Sequence, residues 1–151
     1  MKRLAHLIGG QAASSSRARI SPVFNPATGE QAAELELASA STVREAITKA
    51  NNAFAEGSSR TPINRARIMF RYKQLLQDNM DELAVLVSRE HGKTLDDARG
   101  SITRGIEIVE FACGIPQLLK GEFSANVGSG VDSYNIRQPL GVCAGIPPFN
   151  F

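Results

Sequence analysis

The chain has 151 residues, 42% of them hydrophobic and 21% charged, and 17 Lys and Arg against 15 Asp and Glu give a net charge of +2. That balance suits a soluble globular protein with one core, and it excludes a disordered or membrane-spanning chain. The basic residues are dispersed along the chain, which argues against a nucleic-acid surface.

The first 29 residues contain no acid. With Lys2, Arg3, Arg17, Arg19 and three consecutive serines they are weakly like a transit peptide, but the apolar run from Leu4 to Ile8 is too short for a secretory segment. Gly9-Gly10, lying between Leu7-Ile8 and a later run from Ile20 to Val23, predicts a strand, a turn and a second strand. Asn25-Pro26 and Thr28-Gly29 are turn signals. After them Ala33, Leu35 and Leu37 alternate with Glu34 and Glu36, which predicts a half-buried strand.

Helical spacing follows. Thr42-x-x-Glu45 has the form of a capping box, and Val43, Ala46, Ile47, Ala50 and Phe54 recur on one face until Gly57, so a first helix is expected over residues 43–56. Thr61-Pro62 supplies a cap and a proline at the first helical position of a second helix. Asp78-Asn79 interrupts it, and a third helix carrying Met80, Leu83, Ala84 and Val87 ends at Gly92. Thr94-x-x-Asp97 opens a fourth, with Leu95, Ala98, Ile102, Ile106, Val109 and Cys113 on its apolar face, and Gly114 and Pro116 stop it. From Glu122 the helical period is lost. Gly128-Ser-Gly130 between two apolar runs predicts a hairpin with Tyr134 and Ile136 on one face. Val142-Cys-Ala-Gly-Ile146, between Gly141 and Pro147, reads as a strand buried on both faces, as in a parallel sheet. The order of small strands, four helices, a ribbon and a buried strand is that of an α/β protein.

Most candidate chemistry has a plainer explanation. Gly92-Lys93-Thr94 carries the last residues of a phosphate-binding loop, but such a loop needs a glycine at position 87, which is Val, and a strand ahead of it. Gly128-x-Gly130 lacks the third glycine and the helix of a dinucleotide fingerprint. His6 and His91 have no carboxylate or cysteine at ligand spacing, so no metal is expected. Cys113 and Cys143 lie in apolar runs and read as buried, reduced thiols of a cytoplasmic protein, not as a disulfide or as nucleophiles. Asn150 differs. It follows the predicted buried strand directly, between Phe149 and Phe151, and the loop beyond a strand's carboxyl end is where open α/β sheets hold ligands. Its amide reads equally as a local cap or as a donor to substrate.

The closing run P-L-G-V-x-x-x-I-x-P-F-N-F resembles the start of the nicotinamide-binding sheet in the aldehyde dehydrogenase superfamily. Phe149, where most members carry Trp, is similar to the methylmalonate-semialdehyde dehydrogenase branch. So are Phe111-Ala-Cys-Gly-Ile-Pro116, Leu118-Leu-Lys-Gly-Glu122 and Arg137-Gln-Pro-Leu-Gly141, while Asn25-Pro-Ala-Thr-Gly-Glu30 and Glu90-x-Gly92-Lys93 match wording used across the superfamily. The resemblance begins near His6, so a presequence would lie before it and a mitochondrial location is less favoured than a cytoplasmic one.

The resemblance implies the amino-terminal part of an aldehyde dehydrogenase fold. Residues 1–121 would belong to the NAD-binding domain, 122–140 to a ribbon that joins subunits into a dimer or tetramer, and 141–151 to the start of the nucleotide-binding sheet, cut short. It implies NAD as cofactor, coenzyme A as co-substrate, and a small semialdehyde converted to an acyl-CoA after a cysteine nucleophile has added to it. That nucleophile would lie beyond Phe151, so the chain alone is expected to be inactive. Asn150 would donate a hydrogen bond to the aldehyde oxygen, and Pro147 and Phe149 would line the nicotinamide. Proline departs from the Thr or Ala usual at position 147; it removes a backbone donor and fixes φ. The alternatives are a non-catalytic piece that keeps the oligomerisation ribbon, and an unrelated helical binding module.

Overall fold

The structure, a computed structural model, describes residues 1–14 and 19–148. Its elements are β1 (Lys2–Leu4), β2 (His6–Ile8), β3 (Gln11–Ala13), β4 (Arg19–Phe24), β5 (Gln31–Leu37), α1 (Ala40–Ser59), α2 (Pro62–Asp78), α3 (Met80–His91), α4 (Leu95–Cys113), α5 (Ile115–Leu118), β6 (Phe123–Gly128) and β7 (Val131–Tyr134). Mixed strands and helices in this order bear out the α/β reading.

The helix starts follow from cap chemistry. Thr61 Oγ1 accepts from the Asn64 amide, with Pro62 in the first turn, and Thr94 Oγ1 accepts from the Asp97 amide, each satisfying a donor that has no partner inside the helix. The first helix departs from expectation. Ser39 is the cap, accepting from the Thr42 amide at 3.1 Å, so the helix begins three residues early. Glu45, expected to reach back to the cap, instead pairs with Lys49 one turn on. Gly57 does not stop the helix, which continues to Ser59 with the Ser58 and Ser59 hydroxyls donating to carbonyls of the preceding turn. A glycine within a helix costs about 1 kcal/mol without forbidding it. After Gly114, Pro116 enters a short fifth helix at a position where its missing amide is not needed.

In the three-stranded sheet β5 is central, parallel to β1 and antiparallel to β4. The Gly9-Gly10 turn joins β2 to β3, so the run from Ile20 to Val23 is not its second strand but pairs with β5. The half-buried strand expected at Ala33 to Leu37 is present as β5, with Ala33 and Glu36 as its buried residues. Leu35 and Leu37 are each 36% exposed, while Glu36 is among the most buried side chains, with Arg3 Nη1 of β1 3.9 Å from its carboxylate. The parallel register that sets Arg3 opposite Glu34 brings one cation to both acids.

Small side chains hold the helical layer together. Ala66 of α2, Ala84 of α3 and Ala98 of α4 are buried, alongside Ile106 and Cys113. Residues without bulk allow helix axes to approach closely.

The predicted hairpin is present as β6 and β7, with every residue of both strands exposed. Its register slips between Ser124 and Gly128, where Asn126 takes φ +54 and its amide donates to Asp132 Oδ1 at 2.9 Å. Asparagine tolerates that left-handed conformation better than most residues. At the base the Asn135 amide donates to Glu122 O, and Asn135 Oδ1 accepts from the Glu122 amide, both at 3.0 Å. A Cβ on Gly121 would lie 2.1 Å from Asn135 O, so this closure requires glycine.

Residues 142–146, expected as a buried strand, pair with no strand among the described residues. Val142 is 43% and Ile146 97% exposed, and Cys143, expected buried, is exposed as well. A parallel strand is held by neighbours on both edges and helices on both faces, and here no described strand pairs with it. Cys113 is buried as expected, its thiol donating to Val109 O at 3.3 Å. No described helix is long and apolar enough to cross a membrane.

Candidate functional site

Two turn motifs more than sixty residues apart in the chain meet in space. Asn25 builds the first: its Oδ1 accepts from the Ala27 amide at 2.9 Å, its amide donates to Glu30 O, and the Gly29 amide donates back to Asn25 O. Proline at position 26 stiffens that turn. The second motif ends α3, where Gly92 adopts φ +84 and its amide donates to Ser88 O at 2.8 Å. A Cβ on Gly92 would lie 3.1 Å from Pro26 Cγ, so the two turns are in contact.

Lys93 then leaves the helix end with a nearly buried side chain. Its Nζ donates to Ser101 Oγ at 2.8 Å and stands 2.9 Å from Asp97 Oδ2, while Ser88 Oγ donates to its carbonyl at 2.7 Å. The hydrogen bond from Lys93, reinforced by its charge, holds the Asp97 carboxyl below its ordinary value. Glycine, lysine and threonine here end one helix, anchor a turn and cap the next. That agrees with the rejection of a phosphate-binding loop.

Beside this junction a cavity of about 350 Å³ is lined by Leu4, Phe24, Asn25, Ser88, Glu90 and Gly92 among others. A second, of about 450 Å³, lies between His6, Arg19, Leu37 and the start of α1 at Ser39 and Thr42. No group of three or more His, Cys, Asp or Glu among the described residues could hold a metal ion.

Gly92→Ala should destabilise the chain by about 1–2 kcal/mol, because a left-handed φ is strained for any residue with a Cβ and the added methyl presses on Pro26. Gly105→Ala, in α4 with nothing within 4 Å of the new Cβ, should stabilise by about 0.5–1 kcal/mol. Urea unfolding followed by circular dichroism would compare the two; equal midpoints would refute the role given to Gly92.

Of the three residues singled out for chemistry, Pro147 is described and exposed, whereas Phe149 and Asn150 lie outside the described residues. Sequence reasoning missed the burial of Lys93, Glu36 and the contact between Pro26 and Gly92. The spacing of Lys93 to Asp97 and Ser101, one and two turns along a helix, was a usable signal for the first. Glu36 meets Arg3 of a strand more than thirty residues away, and its burial had no such signal.

The sequence model of the aldehyde dehydrogenase family matches residues 12–151. The malonate-semialdehyde dehydrogenase of Pseudomonas aeruginosa is 47% identical over 151 residues, which is all of this chain and 30% of that protein. The mitochondrial acylating methylmalonate-semialdehyde dehydrogenase of Arabidopsis thaliana is 44% identical over 149 residues, covering 99% of this chain and 24% of its own length. Among solved structures, a methylmalonate-semialdehyde dehydrogenase of Sinorhizobium meliloti in complex with NAD superposes with a TM-score of 0.94 at 48% identity. The corresponding enzyme of Oceanimonas doudoroffii gives 0.94 at 52%. Both superpositions cover all of this chain and 31% of the other, so the chain spans under a third of the length of these relatives.

Proposed function

Because the chain belongs to the aldehyde dehydrogenase family, we propose that it supplies the amino-terminal part of an NAD-dependent, coenzyme-A-acylating oxidoreductase that converts malonate or methylmalonate semialdehyde to an acyl-CoA. The observation that carries this reading is the agreement of the whole chain with two methylmalonate-semialdehyde dehydrogenases at a TM-score of 0.94 and about half identity. Such agreement makes the unrelated helical module untenable.

Within this reading residues 1–121 belong to the NAD-binding domain, 122–140 form the oligomerisation ribbon, and 141–151 begin the nucleotide-binding sheet. The exposure of both ribbon strands supports a role between subunits, in a homodimer or homotetramer. A cytoplasmic location accords with two free thiols, one of them exposed.

For the cofactor, Pro147 is the described residue in question. Its ring is exposed and it carries no amide proton, which suits an apolar wall against the nicotinamide and offers no hydrogen bond. NAD, when bound, accepts the hydride of the aldehyde. Phe149 adds a second apolar surface, and the Asn150 amide donates to the aldehyde oxygen as negative charge develops there. The cysteine nucleophile and the coenzyme A contacts belong to the part of the relatives that this chain does not match.

The experiment joins the chain, after Phe151, to the part of the Pseudomonas relative that follows its matched segment. With methylmalonate semialdehyde the product should form NADH and an acyl-CoA, and depend on coenzyme A. Coenzyme-A-independent release of the free acid at the full rate would overturn the acylating reading.

A further inference from the structure

The ribbon has little but its own base to hold its direction. Phe123, Val127, Val131 and Tyr134 are each more than half exposed, and β6 and β7 pack on each other and, among the described residues, on no other element to a comparable extent. A two-stranded ribbon is marginally stable by itself. Its stance therefore depends on the rung where it leaves the body.

That rung departs from an ordinary ladder. One step below the Phe123–Tyr134 pair, a regular antiparallel pairing would have Glu122 and Asn135 exchange two main-chain hydrogen bonds. The Asn135 main-chain amide does donate to Glu122 O, but the Glu122 amide donates to the side-chain Oδ1 of Asn135 in place of its carbonyl, each at 3.0 Å. The displaced carbonyl stands against Gly121, where a Cβ would lie 2.1 Å from it. The Asn135 side-chain amide completes the ring by donating to Glu122 Oε2 at 3.4 Å. Above it the bond from the Asn126 amide to Asp132 Oδ1 pins the register break in the same way, with a side chain accepting from the opposite strand.

We propose that Asn135 is a positioning residue for subunit assembly: its clamp on Glu122, closed over Gly121, fixes the ribbon's stance before a second copy of this chain is met. The inference rests on the oligomerisation reading of the ribbon given above. A ribbon free to swing loses that freedom on docking, and holding it in advance removes the cost. Glu122 and Asn135 are both exposed, so water replaces bonds lost there and the subunit's own fold gains little from them.

The test uses the joined form described above, followed by light scattering on dilution and by thermal unfolding. Asn135→Ala should raise the subunit dissociation constant about 10-fold or more, with the melting temperature of the dissociated subunit moved by no more than about 2 °C. Asn135→Asp keeps the acceptor for the Glu122 amide but loses the donor and sets a second carboxylate beside Glu122, so it should associate as weakly. Adding Glu122→Gln to that variant returns a donor and closes the same ring with its side-chain bond reversed, and association should recover to near the parent value. An unchanged dissociation constant in Asn135→Ala would overturn the proposal, as would a double variant that does not recover. A subunit that melts early in proportion to its weakened association would also overturn it, because Asn135 would then serve its own fold. A parent joined form that stays monomeric at every concentration would overturn the ribbon reading itself, and the clamp's role with it.

Discussion

Purified alone and given NAD, coenzyme A and malonate or methylmalonate semialdehyde, the 151-residue chain should form NADH no faster than buffer does. Hydride leaves an aldehyde readily once a nucleophile has added to it, and the described residues bring no activated nucleophile to a substrate. Cys113 is buried on α4, its thiol committed to the carbonyl one turn back. Cys143 is exposed, and its recorded hydrogen bond runs 3.7 Å to Gly141 O, a carbonyl and not a base. Neither thiol lines the two cavities described above. A donor of the kind proposed for Asn150 accelerates a reaction by stabilising charge that another group creates, so without that group it contributes nothing. Absorbance of NADH would be followed at increasing protein concentration, and turnover that scales with protein through repurification would refute the expectation. Activity should appear on joining the part of the Pseudomonas relative that follows its matched segment, and that contrast is the largest effect anticipated for this chain.

In the joined form, Asn150→Ala should lower the acylation rate by roughly 10²–10³, the usual loss for one oxyanion donor. Folding and NAD affinity should hardly change. Asn150→Asp should be no better, because an acceptor would then face the developing negative charge. The competing role, a local cap, predicts a different pattern: a loss of about 1 kcal/mol in stability with chemistry preserved. Pre-steady-state hydride transfer and thermal unfolding on the same samples separate the two. A normal transfer rate with a lowered melting temperature would remove Asn150 from the reaction. Pro147→Thr, restoring the residue usual at that position, belongs in the same series as a probe of the nicotinamide wall.

What the sequence determined by itself was whatever a few neighbouring residues decide. Thr61-Pro62 and Thr94 marked helix starts correctly, because capping is a transaction between a side chain and amides within one turn, and Gly92 marked a helix end because it takes the left-handed φ there; Asn79 marked the break between α2 and α3 without a side-chain cap on α3. Gly128-Ser-Gly130 marked the ribbon's turn for the same reason, and the residues around Phe111, Arg137 and Phe149 carried the family. Tertiary structure decided everything that depends on what lies opposite. Glu36 is buried with Arg3 of β1 beside it, and Pro26 meets Gly92 because the sheet and α3 place two distant turns against each other. Residues 142–146 have the composition of a buried strand and are exposed, since apolar residues express a preference for burial whereas burial itself needs a partner surface. The stripe on α1 is uncovered on the same physical ground: periodicity specifies which face of a helix is to be covered, and the covering is supplied by whatever packs there.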